Sequence, residues 1–172
     1  AEQALESELV DEILPLEEAV AQAEVIVMAV PVNVQVNLLP QILDMVTDQI
    51  VMDMGSTKSD LIAAVQHHTN RGRYVATHPM WGTEYSGPKA AVRGAFEGKA
   101  VIICNRKDSD ADAVEWVEKM YQKIGMRIVD MEAKAHDLHV AYVSHISHIT
   151  SFALANTVLE KEKVESAIFQ IA

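Results

Sequence analysis

Short apolar runs alternate with amphipathic segments through the first three quarters of the chain. The runs are rich in branched apolar residues and have the length of buried strands, whereas the amphipathic segments repeat their apolar positions at helical spacing. The predicted strands are residues 25–30, 49–54, 73–77, 99–104 and 126–131. The predicted helices are residues 1–9, 16–23, 34–47, 57–66 and 110–125. Strands and helices that alternate at this pitch predict an α/β fold with a mostly parallel sheet and crossover helices.

Four positions in this pattern carry a further signal. Pro31 stops the first run, which we interpret as a buried parallel strand. Thr57 and Asp60 have the spacing of a capping box and predict the start of the fourth helix. Gly125 follows the fifth helix and is a natural C-cap.

The pattern changes after residue 131. Residues 134–163 contain neither glycine nor proline and keep apolar residues at helical spacing, which predicts one long helix. We therefore expect two domains, a sheet domain over residues 1–131 and the beginning of a helical domain over residues 132–172. The chain opens and closes within helical patterns, so we expect a fragment of a longer protein.

Composition restricts the classes of protein that fit this pattern. The chain has 172 residues, 49% hydrophobic and 23% charged, as soluble globular proteins do, and its formal net charge of −11 argues against a nucleic-acid surface. No apolar run is long enough to span a membrane. The single cysteine, Cys104, can form no intrachain disulfide and fits a reducing compartment. We expect a cytoplasmic protein that binds neither nucleic acid nor membranes.

Unusual residues follow three of the predicted strands, at AVPV (29–32), DMGSTK (53–58) and THPMWGTE (77–84). Ligands of open parallel sheets bind beyond the carboxyl ends of the strands, so three such segments at one edge predict a binding site there. AVPV taken alone is also explained by a proline that ends a strand.

His78 is the sharpest candidate for chemistry. It precedes Pro79, and a residue before proline is restricted to extended conformations, so we expect its ring to be held at the edge of the sheet. Gly82 and Gly87 allow the following loop to fold tightly and approach a ligand. A neutral imidazole is a suitable proton acceptor at physiological pH. The alternative is a structural histidine with no part in catalysis.

The DMGSTK segment combines a turn with a predicted helix start. Gly55 permits the turn, and Ser56 then lies beside a helix N-terminus, where backbone N–H groups favour anions. A simple helix cap explains the same residues. We expect Lys58 to be solvated.

The sequence SHISH, residues 144–148, lies in the predicted long helix. Ser144 and His148 are four residues apart and share a helix face, with His145 about 60° from His148. These rings could bind a carboxylate or a metal, or they could be buried structural histidines. Neither a cysteine pair nor an HExxH motif accompanies them, so we predict no metal site.

Three segments together, HPMWGTEYSG (78–87), DMGSTK (53–58) and VSHISHITSFALAN (143–156), resemble the prephenate dehydrogenase family in their order and spacing. The resemblance implies an NAD- or NADP-binding Rossmann-type domain over residues 1–131 and a helical domain from residue 132 that forms a homodimer. It implies oxidation of the ring C4 alcohol of prephenate with release of CO2, which gives 4-hydroxyphenylpyruvate in tyrosine biosynthesis.

The resemblance also implies roles for individual residues. His78 would hydrogen-bond the C4 hydroxyl and take its proton as hydride leaves for the nicotinamide, and Ser56 would contact the same hydroxyl and the cofactor. The implied substrate-binding residues are His148, His145, Ser144, Thr83 and Glu84, the last two in a loop that gates the site. The implied cofactor-binding residues are Val30, Pro31, Asp53, Gly55 and Ser56.

The sequence departs from the family pattern at several points. The first 54 residues contain no glycine, so the GxGxxG phosphate loop, the strand before it and the acidic ribose-binding position are absent. The arginine that pairs with the substrate's side-chain carboxylate would lie beyond residue 172, and Ser147 replaces a frequent proline. We therefore predict that the 172-residue chain alone is nearly inactive.

Alternatives to this interpretation stay open. Arogenate dehydrogenases share every segment quoted above. A different Rossmann dehydrogenase, of the 6-phosphogluconate type, would not supply SHISH after HPMWG. A non-catalytic regulatory module that kept the sheet and lost the phosphate loop would bind tyrosine without binding NAD.

Overall fold

The computed structural model describes residues 2–83, 85 and 87–162, apart from the side chains of residues 144, 145, 148 and 158–162. The chain divides into two compact units, residues 1–136 and 137–172. The predicted division lies at residues 131 and 132.

The described residues form one five-stranded sheet in which the strands lie in chain order. Three of the four neighbouring pairs are parallel, and the third and fourth strands are antiparallel. The mostly parallel sheet is therefore confirmed. The strands are β1 (Val25–Met28), β2 (Ile50–Asp53), β3 (Tyr74–Pro79), β4 (Ala100–Cys104) and β5 (Arg127–Met131).

Helices connect most of these strands and continue beyond β5. In chain order they are α1 (Glu2–Glu6), α2 (Leu16–Gln22), α3 (Val32–Met45), α4 (Ser59–Val65), α5 (Ala111–Lys123), α6 (Ala133–Val140) and α7 (Ile146–Glu162). A π-helical segment, Ala141–His145, lies between α6 and α7. The long helix predicted after residue 131 is thus present, with one wider turn inside it.

The reversal of β4 follows from the connection that precedes it. The described residues between 80 and 99 contain only a short 3₁₀ turn, Pro88–Ala90, and no crossover helix. Adjacent strands can be parallel only if a crossover carries the chain back to the starting edge of the sheet. As a result, the carboxyl ends of β1, β2 and β3 share one edge of the sheet, and those of β4 and β5 lie at the other.

Two hydrophobic clusters cover the two faces of the sheet. Alternate residues of each strand point to opposite faces, so neighbouring positions enter different clusters. One face packs against α3 and α4 and includes Leu39, Leu43, Leu61, Ala76, Ile102 and Ala133. The other packs against α5 and includes Met52, Val75, Val101, Ile103, Val117 and Tyr121. The sheet is therefore the middle of three layers.

Two local predictions are wrong and one is confirmed. Strand β1 is an edge strand within the described residues, and Val27 is 47% exposed, so β1 is not buried on both faces. Helix α4 begins at Ser59 with Lys58 at the N-cap, and no side-chain cap hydrogen bond is present in the described structure, so Thr57 and Asp60 form no capping box. Gly125 does end α5, with φ +78°.

Candidate active site

The three segments singled out in the sequence lie at the carboxyl ends of β1, β2 and β3. Because these strands are parallel and adjacent, residues 29–32, 54–58 and 80–83 leave the sheet at the same edge, and Asp53 and residues 77–79 are the last residues of β2 and β3. The register pairs Met28 with Asp53, which aligns the ends of β1 and β2. This edge is where ligands of open parallel sheets bind.

The segment after β1 turns directly into a helix. Pro31 occupies the N-cap of α3, and Val30 is 41% exposed beside it. The amide of the buried Gln35 donates hydrogen bonds to the carbonyls of Met28 and Val30. The Met28 carbonyl also accepts the Met54 N–H at 3.0 Å, and Val30 and Pro31 are exposed at the end of the segment.

Asp53, the last residue of β2, is a fully buried carboxylate that connects the two other segments. It accepts hydrogen bonds from the Gly55 N–H (2.8 Å), the Tyr74 hydroxyl (2.8 Å) and the Thr77 N–H (3.1 Å). Burial, and then the nearby charge of Asp53, raises the pKa of the Tyr74 hydroxyl well above its usual range. Tyr74 therefore stays a donor to Asp53. Any part of Asp53 in cofactor binding would be indirect, through the turn that it holds.

Lys58 is fully buried and forms an ion pair with Asp53, so the expectation that it is solvated is wrong. The reason lies in the turn. A Cβ at Gly55 would lie 2.9 Å from Asp53 Oδ2, 3.0 Å from Val32 Cγ2 and 3.2 Å from Lys58 Nζ. Gly55 thus leaves the space in which the lysine folds back under the turn. Ser56 is exposed at its tip.

His78 lies within β3 rather than in the loop after it, and it pairs with Ile102 of β4. The Thr77 N–H points toward Asp53, and the Met80 N–H donates to the Ala100 carbonyl of the β4 side. By alternation, residue 79 would direct its N–H away from β4, past the end of β2. Pro79 therefore removes no ladder hydrogen bond, and the strand can extend through it.

The ring of His78 contacts a residue that the sequence did not single out. His78 Nδ1 lies 2.9 Å from Nε2 of His136, and the rings meet edge to face with centroids 5.1 Å apart. His136 is fully buried at the start of α6, whereas His78 is partly exposed. Sequence reasoning missed the contact because 58 positions separate the two histidines and no spacing rule joins them.

The loop after β3 is partly described. Trp81 packs edge to face on Phe96 with ring centroids 5.9 Å apart, and Gly87 has φ +82°, a conformation that favours glycine. Thr83 is exposed, and its hydroxyl accepts a hydrogen bond from the Tyr85 N–H at 3.3 Å. Glu84 lies outside the described residues, so its predicted role stays a prediction.

The SHISH residues belong to the second unit. Ser144 and His145 lie in the π-helical segment and His148 lies in α7, while their side chains are outside the described structure. Single π turns within α-helices are frequent at functional sites. Their role in substrate binding stays a prediction.

Among the residues that the structure describes, no group of three or more histidine, cysteine, aspartate or glutamate side chains could hold a metal ion. None of the described helices is both long and apolar enough to cross a membrane.

Both parts of the chain match family profiles. Residues 1–130 match the nucleotide-binding domain of prephenate dehydrogenase, and residues 132–172 match its dimerization domain. The chain belongs to the prephenate dehydrogenase family. The predicted family and the predicted Rossmann-type sheet followed by the start of a helical dimerisation domain are thereby confirmed.

Several prephenate dehydrogenase relatives are similar to the chain over most of its length. A cyclohexadienyl dehydrogenase from Zymomonas mobilis is 30% identical over 152 residues, which cover 86% of this chain and 51% of that protein. The crystal structure of prephenate dehydrogenase from Aquifex aeolicus has 25% identity and a TM-score of 0.86, covering 98% of this chain and 62% of that one. The same enzyme in complex with hydroxyphenyl propionate and NAD+ gives a TM-score of 0.78, covering 96% and 58%. The chain spans about half the length of the curated relatives it matches.

Residues at the shared edge fit part of a dinucleotide. The turn at Gly55–Ser56 exposes the Ser56 side chain, and Val30 and Pro31 offer an apolar surface on the neighbouring strand end. The sequence contains no glycine before Gly55, so a glycine-rich phosphate loop is not among the residues given.

Proposed function

We propose that the protein oxidises the ring C4 alcohol of prephenate with NAD or NADP and releases CO2, giving 4-hydroxyphenylpyruvate for tyrosine biosynthesis. The observation that carries this proposal is the placement of His78. Its imidazole is held on β3, at the same sheet edge where the turn with Ser56 leaves β2. The bound molecules named for the Aquifex enzyme, hydroxyphenyl propionate and NAD+, support a phenolic product and a nicotinamide cofactor.

In this mechanism His78 acts as the general base. When bound, the nicotinamide would supply the hydride acceptor for the hydrogen on C4. His78 takes the C4 hydroxyl proton, and Ser56 orients that hydroxyl by a hydrogen bond. Cleavage of the bond to the departing carboxylate leaves its electron pair in the ring, which becomes aromatic. The proton on His78 can then return to the phenolate oxygen. Because aromatisation drives the loss of CO2, the protein mainly positions groups and moves one proton.

The remaining site residues take supporting roles in the proposal. Val30, Pro31 and the turn at Gly55 and Ser56 contact the cofactor, and Asp53 acts through that turn. Thr83 and Glu84 belong to the loop that closes over the substrate. His148, supported by His145 and Ser144, holds the substrate from the helical unit.

We also propose a homodimer formed through the helical unit. The family profile that matches residues 132–172 describes a dimerization domain. Several large apolar side chains of the helical unit are exposed in the described structure, namely Tyr142, Val143, Ile149, Phe152 and Leu154. Exposed apolar surface of this extent is typical of a protein–protein contact.

The test is a steady-state assay of the full-length protein with prephenate and with arogenate, each with NAD and with NADP. We expect cofactor reduction with CO2 release for prephenate. Turnover of arogenate alone would assign the protein to arogenate dehydrogenation. Absence of turnover with both substrates, together with tyrosine binding and no NAD binding by calorimetry, would support the regulatory alternative.

A further inference from the structure

The contact between the two histidines has a defined geometry. Nδ1 of His78 and Nε2 of His136 are 2.9 Å apart, and the planes of the rings cross at 82°. This distance is that of a hydrogen bond between ring nitrogens, and the near-perpendicular crossing places the edge of one ring against the other. Such a contact restricts rotation of the His78 ring about its side-chain bonds.

The backbone around His136 is itself anchored to the sheet. The first residue of α6, Ala133, donates its N–H to the Asn105 side-chain carbonyl at 2.8 Å, and the Asn105 N–H donates to the Met131 carbonyl at 3.1 Å. One turn into the helix, the His136 N–H donates to the Glu132 carbonyl at 2.8 Å. The imidazole of His136 is therefore presented by a helix start that is tied to the ends of β4 and β5.

The two rings also lie on the same face of the sheet. Ala76, two positions before His78 on β3, belongs to the hydrophobic cluster that contains Ile102 and Ala133. Residues two apart on a strand point to the same face, so His78 points toward the layer where α6 begins. His136 is fully buried there. Neither ring has to move for the contact to form.

A hydrogen bond between two ring nitrogens needs one proton and one lone pair. In one arrangement His78 Nδ1–H donates to His136, and Nε2 of His78 carries the lone pair. In the other arrangement His136 donates, and Nε2 of His78 carries the proton. A neutral imidazole is protonated at one nitrogen only, so the partner at one nitrogen decides the state of the other.

We propose that His136 is a positioning residue that accepts the Nδ1 proton of His78 and so keeps the lone pair on Nε2 of His78 for the substrate hydroxyl. The direction of the hydrogen bond rests on the proposed function, since only this tautomer can act as the base. When Nε2 takes the proton, the Nδ1–H of the imidazolium still donates to His136, and the bond becomes charge-assisted. His136 stands to His78 as the orienting residue stands to the base in a catalytic triad.

The tautomer can be measured on the 172-residue chain without substrate or cofactor. Long-range proton–nitrogen correlation spectra of the chain, assigned with a His78→Asn variant, show which ring nitrogen of His78 is protonated at neutral pH. We expect Nδ1 to be protonated and Nε2 to be unprotonated. The opposite pattern would overturn the inference. This measurement needs no variant of His136.

Variants of His136 then separate positioning from packing. His136→Phe retains an aromatic ring and removes the acceptor, whereas His136→Gln places an amide oxygen near the position of Nε2. In the full-length protein we expect His136→Phe to lower kcat about 10- to 100-fold with little change in KM, and to leave His78 as a mixture of tautomers. His136→Gln should retain the Nδ1–H tautomer and most of kcat. His67→Phe, at an exposed histidine, is the matched control and should change neither kcat nor the tautomer of His78.

Two outcomes count against the inference. The first is a His136→Phe protein with unchanged kcat and an unchanged His78 tautomer. The second, which applies even if His136→Phe fails to fold, is a folded His136→Gln protein that loses the tautomer. Failure of the proposed function is a different result, because it would appear as an unmodified full-length protein that turns over neither prephenate nor arogenate.

Discussion

The sheet edge and the helical unit differ in how their side chains are buried and paired. At the sheet edge, Asp53 and Lys58 are charged and fully buried, and each finds its partner within the same unit. In the helical unit, Val143 is 72% exposed and Phe152 is 69% exposed within the described structure, although both are apolar. Hydroxyl groups there, such as that of Thr150, bond to their own helix backbone, as Thr150 does to the Ile146 carbonyl.

This difference shows where each region obtains its geometry. A buried carboxylate with four protein donors, and a glycine without which the turn would clash, hold the base and the turn in place before any ligand binds. The helical unit has the periodicity of a helix but leaves its apolar side chains uncovered by the described residues. We propose that a second copy of the chain covers these side chains.

The largest expected effect comes from the base at the sheet edge. His78→Asn should lower kcat of the full-length protein by about 10²- to 10⁴-fold, because a general base contributes that factor. Circular dichroism and the midpoint of thermal unfolding should change little, since the ring is only partly buried. Near-full turnover by a folded His78→Asn protein would show that His78 is not the general base. The sheet edge would then not differ from the helical unit in holding the catalytic group.

The second effect tests whether the sheet edge is built around a buried ion pair. Lys58→Met should lower the free energy of unfolding by about 3–5 kcal/mol, because Asp53 is left charged and buried without its partner. Urea denaturation of the 172-residue chain measures this change. Lys119→Met is the matched control, since Lys119 pairs with Glu115 on the surface of α5, and we expect at most about 0.5 kcal/mol there. Equal losses of unfolding free energy in the two variants would show that burial of the ion pair is not the cause of the destabilisation.

A smaller loss should follow from filling the space at the turn. Gly55→Ala would bring a methyl group to 2.9 Å from Asp53 Oδ2, and overpacking of this kind costs about 1–3 kcal/mol. Gly82→Ala is the control, because no described atom lies within 4 Å of a Cβ at that position. Because of this overpacking cost, the unfolding free energy of Gly55→Ala should be lower than that of Gly82→Ala by more than about 1 kcal/mol. A Gly55→Ala chain as stable as the Gly82→Ala chain would mean that the turn adjusts freely.

The smallest effect on folding is expected in the helical unit, where assembly should change instead. Phe152→Glu adds a charge to an exposed apolar surface, so the unfolding midpoint of the sheet unit should stay within a few degrees while the proposed dimer dissociates. Sedimentation equilibrium of the full-length protein measures the stoichiometry. Val92→Glu, at an exposed apolar residue of the sheet unit, should leave the stoichiometry unchanged. A Phe152→Glu protein that remains fully dimeric would place the interface elsewhere.

Much of the fold at the sheet edge could be predicted from local patterns. The runs at residues 50–53 and 74–77 are strands because branched apolar residues follow one another there, and a periodicity of this kind is a property of neighbouring residues. Gly125 ends α5 because a left-handed residue is needed at that position. The motifs after β1, β2 and β3 could be placed at one edge because parallel strands end together.

Two predictions for the segment after β2 are wrong, although the residues concerned are close together in the sequence. Lys58 has the local surroundings of a solvated lysine, yet it is buried, because Asp53 lies five positions earlier at the end of a strand and Gly55 leaves room between them. Thr57 and Asp60 have the spacing of a capping box, but α4 starts at Ser59, so their side chains are not placed to cap it. The buried ion pair of Lys58 with Asp53 thus outweighs the preference of a lysine for solvent.

By itself, the sequence determined the α/β class of this chain, the order of its strands and helices, and its membership of the prephenate dehydrogenase family. The tertiary structure decided the direction of β4, the burial of Lys58 and the contact of His136 with His78. For the contact of His136 with His78 the physical reason is distance along the chain, whereas Lys58 is buried because the end of β2 and the turn at Gly55 place its ammonium group against Asp53. Periodicity and capping involve residues within a few positions of one another, whereas a hydrogen bond between residues 78 and 136 exists only after the sheet has folded and α6 has packed on its face.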